Sequence, residues 1–396
     1  MTRAADPLPP GRDLAPDVLR GFALFGIIVV NVAYFATDVA NGLTEEAIRT
    51  SADAVTAFLV TALAQGKFYL LFAFLFGYAT RYALRRGEGA VPRWRGRSLA
   101  LMVFGAVHAV ALFIGDILFV YGLLGLLLTP LLFRPPGVLR RRTRASYAVS
   151  AVLLAGLVAL LRVGELQGEV VAGSVATPYG VAVQARDYLA SIPARATLWA
   201  QTLPFVLLLQ GPLAFAAFLV GLRAARANLL AGRWEAVAVR RWLVWGFGVG
   251  LPLQVVSAGV WLANETSPDR LESLALGSTF AGFLVAPLLS AGYAAAVVGL
   301  ARARPAWVAW MAPAGRMALT VYLSQSVVLS LLFSGWGAGL YGRTPYAVAV
   351  GVSLAVAVGL TLAARLFLRR WSKGPMERVL GWLATRLAFG RSAPTR

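Results

Sequence analysis

The sequence has no cysteine, a single histidine at position 108 and only two lysines, Lys67 and Lys373, in 396 residues. The missing thiols exclude disulfides, thiolate metal sites and cysteine nucleophiles. A lone imidazole argues against a conventional zinc site, and no metal is expected. Charge is scarce as well, at 14% of residues. No loop between the apolar runs carries a phosphate-binding Gly-Lys-Ser/Thr motif, which argues against an ATP-driven pump. Residues 1–17 hold proline and both signs of charge without an apolar stretch. They are no cleavable signal peptide, so the first apolar run is expected to act as an uncleaved signal-anchor.

What is present is apolar. Hydrophobic residues make up 59% of the chain and the mean hydropathy is +0.72. Runs near 20 residues recur, the mark of an all-α, polytopic membrane protein. Ten spans are expected, at about 18–36, 54–80, 98–114, 117–133, 146–161, 201–222, 242–263, 273–300, 317–334 and 346–368. They form one domain over residues 18–368, between a cytoplasmic tail (1–17) and an amphipathic tail (369–396) expected to lie on the inner leaflet. The second run is interrupted by Gln65-Gly66-Lys67 and is expected to be tilted or broken.

Charge sets the orientation. With both termini inside, thirty basic residues fall on the cytoplasmic side and six outside, with Lys67 in the membrane. The acids run the other way, six inside and eleven outside. This is a positive-inside pattern for a multi-pass protein of a bacterial cytoplasmic membrane. The net charge of +20 is spread between spans, so nucleic acid is not an expected partner; the lipid bilayer is. The long outer segment, 162–200, suits a lid or re-entrant helices as well as it suits a solvated loop.

Few polar side chains interrupt the spans. His108 lies in the outer half of the third. An ionisable group at such depth is a functional candidate, although a histidine bonded to a neighbouring helix fills the same position for structural reasons. Arg20 and Asn31 are eleven residues apart, three helical turns plus roughly 20°, and share a face. Arg97 and His108 repeat that spacing. Guanidiniums at the cytoplasmic mouth suit phosphate or carboxylate, or they merely snorkel there. Gly115-Asp116 forms the turn after the third span. It is expected to set Asp116 at the outer mouth about 12 Å from His108, too far for direct contact on a straight helix. Lys67 needs a partner, a cavity or a depressed pKa. The ninth span gathers Thr320, Tyr322, Ser324, Gln325 and Ser326, suited to helix–helix bonding or cavity lining.

Several blocks carry a family resemblance: DVLRGFALFGIIVVNV, KFYLLFAFLFG, FGAVHAVALFIGDILFVYGLLG, GRMALTVYLSQS and GPMERVL. Together they resemble the YeiB-like bacterial membrane proteins, a family of unknown function, over nearly the whole chain; residues 225–390 resemble its named C-terminal domain. That family is distantly similar to transmembrane acyltransferases, which pass an acyl group from a cytoplasmic donor to an acceptor on the far side. The bacterial O-acyltransferase pattern places a histidine where this chain has Asn31. Because of that departure the family's catalysis does not carry over directly; in the leading reading, a membrane acyltransferase, His108 as the one remaining imidazole would be general base, with Asn31 and Asp116 in the catalytic set. Arg20, Arg97 and Lys67 would bind an acyl-CoA co-substrate; no cofactor is held permanently. Asp116, Tyr322 and Gln325 would face the acceptor. A permease using His108, Lys67 and Asp116 as a path, or a non-catalytic scaffold, are the alternatives.

Overall fold

The structure is a computed structural model that describes residues 14–37, 47–168, 180, 182–230 and 234–388. Among the described residues every regular element is helical. The first helix, α1 (Leu14–Ala36), is buried along much of its length. The second run breaks in two, α2 (Ser51–Leu63) and α3 (Lys67–Ala79). Gly66 supplies the break, with φ at 83°, a left-handed conformation that glycine adopts without a Cβ penalty. Thr50 and Asp53 cap α2 reciprocally, satisfying two donors that a helix start leaves open. The free Asp53 oxygen takes the Ala347 N–H at 2.9 Å.

Next come α4 (Val91–Ala111) and α5 (Leu118–Leu128), then α6 (Pro136–Leu166), α7 (Tyr188–Leu209) and α8 (Gly211–Arg226). The α9 segment (Ala236–Glu265) contains a π-helical stretch, Val244–Gly250. There Gly246 lies against Gly292 of α10 (Glu272–Ala303) so closely that a Cβ would stand 2.5 Å from its Cα. A short helix, α11 (Ala312–Arg316), precedes α12 (Ala318–Phe333), and the chain bends by 80° between Pro305–Arg316 and α12. The last two helices are α13 (Tyr346–Phe367) and α14 (Pro375–Ala388).

With α2 and α3 taken together in the run Ser51–Leu84, seven helices are long and apolar enough to cross a membrane, and the bent pair makes up to eight. The protein is therefore a multi-pass helical membrane protein. Two of the ten expected spans correspond to α4 and α5, which fall short for visible reasons. Three arginines, Arg93, Arg95 and Arg97, occupy the first two turns of α4. The eleven residues of α5 rise only about 16 Å, half a bilayer core. The expected span 201–222 is also broken, because α7 ends at Leu209 and α8 begins at Gly211.

Much of the 162–200 segment is ordered. Helix α7 starts within it, and Ala182, Val183 and Leu198 pack with Tyr341, Tyr34 and Ile114. Arg195 donates to the Val110 carbonyl at 2.9 Å. This layer covers the end of the bundle where α4 turns into α5; residues 169–179 lie outside the described set. The tail helix α14 docks on α4 through Leu380 and Ala384, with Gly96 under the Ala384 carbonyl. Its opposite face exposes Val379 and Trp382.

Candidate functional site

Polar groups gather at two levels. The first is the Arg20 end of the bundle. A Cβ on Gly315 would stand 1.7 Å from the Asp17 carbonyl oxygen, and one on Gly21 would stand 2.1 Å from that of Met311. These two glycines thus let the start of α1 and the α11 turn touch backbone to backbone. The contact fixes Arg20, which pairs with Asp17 at 3.0 Å, at the joint with α11, whose last residue is Arg316. Arg97 enters from α4 and keeps accessible surface. It lies within electrostatic range of both Arg20 and Glu377. The two arginines singled out by spacing are therefore neighbours.

Glu377, which the sequence reading passed over, organises this end. Its Oε1 accepts the backbone N–H groups of Leu319 and Thr320 at 2.8 and 3.1 Å, and its Oε2 accepts the Thr320 hydroxyl at 2.6 Å. A carboxylate thereby satisfies the open donors at the start of α12, where the helix dipole favours negative charge. Gly374 leaves the room, since a Cβ there would stand 2.1 Å from Glu377 Oε2. The GPMERVL and GRMALT blocks are the two halves of this joint.

The second level is the α4–α5 turn. His108 Nδ1 lies 2.7 Å from Asp116 Oδ2, with both side chains buried. The expected 12 Å separation assumed a straight helix. Instead α4 ends at Ala111, and the turn folds Asp116 back onto it. Asp116 is buried inside the bundle at 4% exposure rather than set at the outer mouth. Gly105, one turn before His108, makes this possible: a Cβ there would meet Phe119 N at 2.2 Å and Asp116 Oδ1 at 2.4 Å. Asp116 Oδ1 in turn accepts the Phe119 N–H at 2.8 Å.

The tautomer follows. An ionised carboxylate only accepts, so Nδ1 carries the proton and Nε2 presents its lone pair. Nε2 is buried and hydrogen-bonds no described residue. Tyr322 of α12 lies against the imidazole, ring centroids 5.1 Å apart, its hydroxyl buried within reach of the Ile117 backbone. Gln325 Oε1 is buried with no hydrogen bond to a described residue, while Gln325 Nε2 donates to the Leu24 carbonyl at 3.3 Å. Buried polar atoms are satisfied in most proteins, so the two open ones, His108 Nε2 and Gln325 Oε1, mark a place for a polar ligand or water. Tyr322 stands two residues beyond Thr320, which Glu377 holds, and so links the two levels.

Two candidates stand apart. Asn31 is half-buried and makes no side-chain hydrogen bond to a described residue. Four residues on, Phe35 stacks on Phe113 beside His108. Lys67 is buried, and its own carbonyl accepts the Ser290 hydroxyl of α10 at 2.9 Å. Its Nζ donates to the Thr61 carbonyl at 2.7 Å, one of the groups freed by the Gly66 break, and no described carboxylate pairs with it. Lys67→Met is expected to insert but to lower stability by about 1–3 kcal/mol, the cost of a buried carbonyl losing its donor. Thermal unfolding of the purified variant checks this, and a Met variant as stable as the wild type would contradict the bond to Thr61.

Helices of spanning length around a buried imidazole–carboxylate pair define a polytopic membrane protein with a polar site between its helices. The chain belongs to the family of bacterial proteins that includes YxaH of Bacillus subtilis (strain 168), an uncharacterized protein to which it is 30% identical over 91% of each chain. Residues 224–386 match the family described as protein of unknown function (DUF418). The uncharacterized protein YeiB of Escherichia coli (strain K12) is 27% identical over 97% of this chain and 98% of its own. The matched family segment holds Arg316, Tyr322, Gln325 and Glu377. His108 and Asp116 lie before it, within the longer likeness to YxaH and YeiB.

Proposed function

We propose that the protein is an acyltransferase of the bacterial cytoplasmic membrane. It would move an acyl group from a cytoplasmic acyl-CoA to a hydroxyl or amine acceptor reaching it from the outer face. The observation that carries this reading is the unpartnered Nε2 of His108, with Nδ1 held by Asp116. A buried carboxylate that orients an imidazole and stabilises its cation is the arrangement of a general base. In the proposed step Nε2 takes the acceptor proton as the acceptor attacks the thioester carbonyl. The C–S bond then breaks and the imidazolium returns the proton to the leaving thiolate. The Tyr322 hydroxyl and the Asn31 amide are the donors available to the transient oxyanion. Arg20 and Arg97 supply the positive charge that phosphates need. The charge skew of the loops supports a cytoplasmic Arg20 end.

A permease is the competing reading, favoured by Lys67, a buried amine with no counter-ion among the described residues. Coenzyme A separates the two. It is expected to raise the melting temperature of the purified protein, and the shift should vanish in Arg97→Gln. In intact cells an impermeant thiol reagent should fail to label a cysteine placed at residue 90. No stabilisation by coenzyme A or its acyl esters would leave the permease ahead, and outside labelling of residue 90 would reverse the orientation.

A further inference from the structure

A second basic site lies away from the two levels described above. Gly137, Arg140, Arg141 and Arg144 follow one another at helical spacing along one face of α6 and line a pocket of about 450 Å³. Helix α8 runs alongside, tied to α6 by the Ser146 hydroxyl bonded to the Pro212 carbonyl at 2.7 Å. It brings half-buried Arg223 within electrostatic range of Arg140 and Arg144. None of these four arginines forms an ion pair with a described residue. Gly137 is exposed, with nothing within 4 Å of an added Cβ, so the pocket opens to the surface there. Arg140, Arg141 and Arg144 are exposed and Arg223 is half-buried; a multivalent anion among them would offset their mutual repulsion with charge-assisted hydrogen bonds.

The surroundings say what carries that anion. Beyond Arg144 the same helix faces outward: only 17% of its apolar window is buried. Tyr147, Val149 and Val152 are 40%, 49% and 71% exposed. An apolar surface that begins one turn above a basic pocket fits a molecule with a phosphate head and hydrocarbon tails. We propose that Arg140, Arg141, Arg144 and Arg223 form a headgroup site for an anionic phospholipid, whose acyl chains lie along the exposed face of α6. This site is independent of the acyl-transfer reading.

The test uses the full chain purified in detergent, with phosphatidylglycerol, phosphatidylcholine and inorganic phosphate as probes. Native mass spectrometry and thermal shift read binding. Phosphatidylglycerol is expected to bind and stabilise the wild type. The triple variant Arg140→Gln, Arg144→Gln, Arg223→Gln should bind it at least about tenfold more weakly. If that variant does not fold, the exposed pair Arg141→Gln, Arg144→Gln should still lose at least about threefold. Arg85→Gln, Arg86→Gln removes the same kind of exposed charge elsewhere and should retain full affinity. Equal binding of phosphatidylcholine, or stabilisation by phosphate alone equal to that by the lipid, would overturn the proposal. So would an unchanged triple variant, or an equal loss in the Arg85, Arg86 control.

Discussion

His108→Gln is expected to insert, fold and bind coenzyme A as the wild type does, yet lose turnover by about 100-fold or more. Glutamine can still donate to the Asp116 carboxylate, so the buried charge keeps a partner and the large penalty for stranding it is avoided. What glutamine cannot do is accept a proton. Asp116→Asn should cost a comparable amount for a different reason. The amide can donate to Nδ1, which favours the tautomer with the proton on Nε2 and removes the lone pair from the reacting side. Release of coenzyme A from acetyl-CoA by the purified protein measures both variants. A thiol-reactive dye reads the product directly against a purified chain that has no thiol of its own. Near-normal turnover in a folded His108→Gln protein would sink the mechanism.

The second large effect is structural. Gly315→Ala places a methyl group 1.7 Å from the Asp17 carbonyl oxygen and 2.9 Å from the Gly21 nitrogen. Both obstacles are backbone, so α1 and α11 must separate rather than a side chain step aside. We expect a loss of about 3 kcal/mol, the upper part of the range for overpacking. Coenzyme A binding should go with it, because Arg20 rides on the displaced helix. Gly351→Ala, on an exposed and uncrowded stretch of α13, is the matched control and should be neutral or stabilising by up to about 1 kcal/mol. Equal melting temperatures for the two variants would contradict the close contact.

How far the sequence could be read depends on which physical term decides each feature. The helical class and the membrane follow from apolar run length alone. Arg20 and Arg97 were legible because each starts a helix on the same side, and the break at Gly66 because glycine and a charge interrupt an apolar run. The His108–Asp116 contact was not. Periodicity extends a helix in a straight line, whereas here a reversal after Ala111 decides the distance. The usable signal was Gly105, three residues before His108 and hence on its face. Glu377 was quoted within a motif without a role, because its partners are backbone donors 57 and 58 residues away. The count of ten exceeds the seven or eight helices of spanning length at α4, whose first two turns carry three arginines, and at α5, which is only eleven residues long.

The joint made by Glu377 carries a consequence for the order of synthesis. Chains emerge and fold from the N-terminus, so α1, α4 and the His108 turn are in the membrane before α12 exists. The donors that open α12 find their carboxylate only after α14, which carries Glu377 57 and 58 residues further along the chain, has emerged. A chain cut short after α13 would therefore keep its helices of spanning length and still carry Tyr322 on a helix with an unfastened end.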